Sequence, residues 1–198
     1  MNMDTCHTSS RRAAVAGFIA CALLGSVAGL HAQPAQRIDA DIDWLAAQQS
    51  IDDTAKNDLE SISRFRASAL DKGQTDNIAL PVLIPKSGAV RASPDLRHQR
   101  SSYAASFALD KGASMTILGA ASSLSLPDQS PLGLSVEKSA GQYLFEKTED
   151  GADMNFTRFG ASYVIRISCE DLEDKRCNAE DYLRTVADSL VAVGGRKP

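Results

Sequence analysis

The chain has 198 residues, a formal net charge of −4, 43% hydrophobic residues and 23% charged residues. That length suits one domain plus a short export segment, and the composition excludes disorder throughout. A mildly acidic chain gains no counterion release from nucleic acid and no attraction to an anionic membrane surface, so neither partner is expected.

Residues 1–12 are polar and end in Arg11-Arg12, residues 13–30 carry no charge, and His31-Ala32-Gln33-Pro34 follows. A positive start, an apolar run and a small-residue exit read as a secretory signal peptide over 1–32, cleaved after Ala32. The competing reading is a membrane anchor, but 18 residues rich in Ala and Gly sit at the lower limit for spanning a bilayer. After cleavage no integral membrane segment is expected. Ser10-Arg11-Arg12 suggests a twin-arginine export route, although Ala13, Ala14 and Val15 replace the large apolar residue usual there. Phe18-Ile19-Ala20-Cys21 is a weaker lipobox-like match, because the apolar run continues past Cys21. The expected location is the periplasm or the cell exterior.

Residues 33–73 are expected to form a helical N-terminal arm. Ile38, Ile42, Leu45, Ala46 and Gln49 fall at helical spacing with Trp44 beside them. Ser50-Ile51-Asp52-Asp53 resembles a capping box that opens a second helix, whose stripe runs through Leu59, Ile62, Phe65 and Leu70 to Gly73. So few large apolar residues make a thin stripe, which points to a mobile or partner-facing element. Ile42, Trp44, Leu45, Leu59, Ile62 and Phe65 are its candidate partner-binding residues.

Residues 74–198 are expected to form a disulfide-stapled α+β domain. Ile78–Pro85 is an apolar run in which Pro81 argues for an edge strand. Residues 86–100, with Lys86, Arg91, Arg97, His98 and Arg100, read as a polar loop. Tyr103, Ala105, Phe107 and Leu109 alternate with small or polar residues, and Asp110-Lys111-Gly112 turns the chain into a strand bearing Met115 and Ile117. After a loop over 120–131 come strands at Leu132–Lys138, Tyr143–Phe145, Met154–Arg158 and Tyr163–Ile167. A last helix is expected from Asn178 to Val193, its stripe being Leu183, Val186, Ala187, Leu190 and Val191. The resulting architecture is an antiparallel sandwich of six or seven strands, with N-terminal helices and a C-terminal helix packed on it.

Cleavage leaves Cys169 and Cys177, eight positions apart, and a single histidine, His98. Two such cysteines in an exported chain read as a disulfide. A metal site would want three or four N/S ligands, and a redox pair the Cys-x-x-Cys spacing. Glu170, Asp171, Glu173 and Asp174 between the cysteines lack the EF-hand pattern and read as a solvated loop. No nucleophile elbow or phosphate-cradling glycine loop is present. Ser135-Val136-Glu137-Lys138 matches Ser-x-x-Lys, but in an alternating segment residues three apart face opposite sides. No catalytic residue, metal ligand or cofactor site is assigned. Glu137, Glu146 and Asp153 are available carboxylates whose spacing selects no pair.

Phe156–Cys169 with the segment Asp181–Gly195 resembles the end of a family of small exported proteins of Gram-negative bacteria, and Leu80–Pro85 resembles their opening strand. The resemblance implies export and carries no catalytic residue with it. The order of sheet and terminal helix is similar in outline to the photosystem-associated PsbP-like sandwich, a likeness of fold alone. The expected function is a non-catalytic periplasmic module that binds a protein or envelope component. The alternatives are a histidine-independent, carboxylate-based hydrolase and a binder of a small apolar ligand.

Overall fold

The computed structural model describes residues 36–68, 75–86, 88–125 and 143–198. The signal segment, the helix end at Gly73 and the strand at 132–138 lie outside the described residues.

The fold is mixed α+β. In chain order it runs β1 (Gln36–Asp39), α1 (Trp44–Asn57), α2 (Leu59–Ser68), β2 (Val82–Pro85), β3 (Asp95–Gln99), β4 (Ser102–Ala108) and β5 (Ala113–Ala120). Then follow β6 (Ser122–Ser125), β7 (Leu144–Lys147), β8 (Gly151–Arg158), β9 (Ala161–Cys169), α3 (Lys175–Asn178), α4 (Glu180–Asp188) and β10 (Leu190–Gly194). Six strands make one antiparallel sheet in the order β3-β4-β5-β9-β8-β7, while β10-β2 and β1-β6 are separate two-stranded ribbons.

Alternation builds the sheet. Tyr103, Ala105 and Phe107 of β4 point to the same buried face as Met115 and Ile117 of β5 and Tyr163, Ile165 and Ile167 of β9. The β8–β9 hairpin closes through Phe159 and Gly160, both with positive φ (52° and 79°), as the twist-matching two-residue turns require. Only glycine fits at Gly160, because a Cβ there would overlap the Asp41 carbonyl.

The β2–β10 ribbon lies over this buried face, with α1 and α2 on its far side and α4 beside it against β8. All four residues of β2 are therefore buried. The ribbon corrects two expectations. Pro81 precedes the strand instead of interrupting it. The terminal helix ends at Asp188, and Leu190–Gly194 pairs with β2, with Leu190 opposite Pro85 and Val191 opposite Ile84. Leu190 and Val191 continue the helical stripe only by coincidence of spacing. Asn178 sits inside α3, and α4 starts after Ala179 without a side-chain cap.

The N-terminal region differs too. Ile38 lies in β1, paired with Ser123 of β6, not on a helix. α1 runs straight through Ser50–Asp53, and the break falls at Asp58. There the buried Asp58 carboxylate accepts the Ser61 N–H (3.1 Å) and the Ser61 hydroxyl (2.6 Å), capping α2. Residues 95–99, expected as loop, form edge strand β3; pairing with β4 imposes a strand on a segment whose side chains are largely exposed.

Candidate functional site

The two faces of the six-stranded sheet are made of different residues. One cross-strand row on the buried face reads His98, Tyr103, Gly119, Tyr163, Phe156. The outward edge of β2 leaves Leu83 with a buried N–H and C=O that no strand satisfies. The Tyr103 hydroxyl accepts from that N–H (2.8 Å) and donates to that carbonyl (3.2 Å), while the Tyr163 hydroxyl donates to Pro81 O (2.8 Å). Burial pushes both phenols well above their ordinary pKa. Gly119 between them leaves room for the rings, since a Cβ would overlap Tyr103 Cε1 and crowd Leu80. Phe156 stacks on Tyr163, and Tyr143 meets Phe156 edge-on while its hydroxyl donates to Asp188 (2.6 Å). This row holds β2 and α4 onto the sheet.

The opposite face is half-exposed and built of small hydroxyl and apolar side chains. Its central row crosses all six strands as Arg97, Ala104, Leu118, Val164, Asn155 and Leu144. A groove of about 460 Å³ runs over Ala104, Leu118 and Val164, bordered by Arg97, Gln99 and Ser102. In the neighbouring row the Ser106 and Thr116 hydroxyls bond each other (3.0 Å), and Arg166 grips both oxygens of Asp153 (2.8 and 2.6 Å). The Asp153 carboxylate raises the Arg166 pKa. Glu146 stands opposite Asp153 on β7. Asp153 thus faces an arginine that occupies both its oxygens, which suits a fixed surface better than proton transfer. Glu137 is outside the described residues. His98 belongs to the edge of the buried-face row, away from these carboxylates in register.

The Cys169–Cys177 disulfide joins the end of β9 to α3 across 6.3 Å between Cα atoms. In the intervening loop Asp174 accepts the Arg176 N–H (2.9 Å), and Arg176 also reaches the Asp110 carboxylate, tying the loop to the β4–β5 hairpin. The Arg176 guanidinium holds the Asp174 pKa down at about 2. Asp171 accepts the Glu173 N–H (3.0 Å). These carboxylates cap backbone and pair with arginine.

The six candidate partner-binding residues separate. Leu45 and Leu59 are exposed (74% and 68%), and Ile42 and Trp44 are half-buried. Ile62 and Phe65 are 6% and 3% exposed and belong to the core, so packing on the ribbon replaces the surface role expected of them. The groove residues went unnoticed in the sequence because alternating Ser, Ala and Val reads as any solvated strand face; only register places Leu118 beside Val164. Among the described residues no helix is long and apolar enough to cross a membrane.

These features define a disulfide-stapled α+β domain with one sheet face covered and the other half-exposed. Comparison with protein-family models, with curated proteins and with solved structures finds no match to this chain.

Proposed function

We propose that the chain is an exported, non-catalytic accessory module of the periplasm or cell exterior, which engages a protein or envelope component through the half-exposed sheet face. The unequal composition of the two faces carries this reading: Ala104, Leu118 and Val164 form a shallow apolar strip rimmed by Arg97, Gln99 and Ser102. A strip of this kind suits a broad surface contact more than a deep small-molecule site. Export is supported by the leader-like residues 1–32 and by a disulfide that an oxidising compartment maintains.

The test is site-specific photo-crosslinking in the native host. A photoreactive residue at 118 or 164 should trap a defined adduct, whereas one at exposed Gln48 on α1 should not. Equal labelling from all three positions would remove the sheet face from consideration. Intact mass of the same material should begin near Gln33; a retained leader or a lipid on Cys21 would count against free export.

A further inference from the structure

We infer that α1 opens as a unit of its own while α2 stays fixed to the core. The two helices are docked by different means. α2 inserts Ile62 and Phe65 into the main core cluster, and Arg64 donates to the Val90 carbonyl. α1 fully buries only Ala47 and Thr54, neither of which joins that cluster, and Ile42 and Ile51 pack against it only in part. α1 lies against β10, and alongside that contact runs an open, polar trough of about 430 Å³, lined by Gln49, Ser50, Asp53 and Asn57 on one side and Lys86 and Val191 on the other. The Thr54 hydroxyl donates back to the Ser50 carbonyl (2.8 Å), a bond that competes with helical pairing.

The junction allows the separation. Asp58 caps α2 with its own side chain while its N–H donates to the Thr54 carbonyl (2.8 Å), so one buried residue ends α1 and starts α2, and the α2 cap itself uses no atom of α1. The far end of α1 is pinned, because the Asp43 N–H donates to the Phe159 carbonyl (3.0 Å) and β1 pairs with β6. With both ends held, α1 cannot swing away as a rod. It opens by losing helicity between two fixed points, uncovering the half-buried Val191 on the outer side of the ribbon. The mobile element expected over residues 33–73 thereby contracts to Trp44–Asn57.

Native-state hydrogen exchange on the full, disulfide-intact protein tests this. Amides of Trp44–Asn57 should exchange roughly tenfold or more faster than those of Leu59–Ser68, β9 and β10 under native conditions. Ala55→Gly, on the exposed side of α1, should speed that segment's exchange about fivefold, the helix-propensity difference, and leave the melting midpoint unchanged. Exchange of α1 only together with α2 and the sheet, or a lowered midpoint in Ala55→Gly, would overturn the inference.

Discussion

The two faces of the six-stranded sheet come from the same strands, in the same register, and differ by one residue of offset. On one side Phe107, Met115, Ile117, Tyr163 and Ile165 are fully buried under the ribbon and α4. On the other, Ser106, Thr116, Leu118 and Val164 are only half-buried. A strand cannot slip by a single residue without exchanging these two sets, so the difference between the faces is what fixes the pairing. It also concentrates the buried apolar packing, and with it the stability, on the covered face.

The widest gap should appear on truncation in the covered layer. Phe107→Ala should cost about 3–5 kcal/mol, because the cavity forms between the sheet and what lies over it. Chemical denaturation reads this as a large fall in midpoint, and a loss below 1 kcal/mol would mean that the covered face is loosely packed. Next comes Cys169→Ser, which opens the short loop to Cys177 and should cost about 2–3 kcal/mol. Retained crosslinking at position 118 in a folded Cys169→Ser variant is the expected companion result, since the bond stands at the end of the sheet away from the groove.

Tyr103→Phe is a subtler probe. It leaves the ring in place and strands the Leu83 N–H and C=O, for an expected cost of about 1–3 kcal/mol. The same hydroxyls set an alkaline limit. With the folded pKa of Tyr103 and Tyr163 raised, their contribution is fully present below about pH 10 and is lost as pH rises above it. Unfolding above pH 10 should therefore set in later for Tyr103→Phe relative to its own neutral-pH stability. The smallest effect is expected across the sheet: Leu118→Ser should change stability by less than about 1 kcal/mol while abolishing the crosslinked adduct at position 164. If Leu118→Ser destabilised as much as Phe107→Ala, the contrast between the faces would collapse.

What the sequence conveyed follows from the range of its signals. Alternation over 103–109 and 163–167, the Asp110–Gly112 turn and the cysteine pair are local, and each was legible. The identity of Leu190–Gly194 was not, because an apolar pattern following a helical stripe continues it on paper, and only pairing with Val82–Pro85 makes it a strand. Asp95–Gln99 was missed for the same reason in reverse: its polar residues carry no periodic signal, and β4 supplies the strand geometry. The Asp58 break has no stronger local signal than Ser50–Asp53, which resembles a capping box although the helix continues through it. The candidate groove and the Tyr103–Gly119–Tyr163 row required knowledge of which residues stand side by side on three strands, and no single segment contains that.

The β2–β10 ribbon has a consequence for the order of assembly. Residues 82–85 find their partners only at 190–194, so most of the chain separates the two strands of one small ribbon. Closing so long a loop carries an entropic cost before any contact is gained, and pairing of this kind slows folding. The β4–β5 and β8–β9 hairpins can form early from neighbouring residues, but the layer that covers them must wait for the final strand. A chain synthesised from its N-terminus therefore holds its largest apolar face uncovered until Leu190–Gly194 arrive. That interval is when it is most open to chaperones, to proteases and to aggregation.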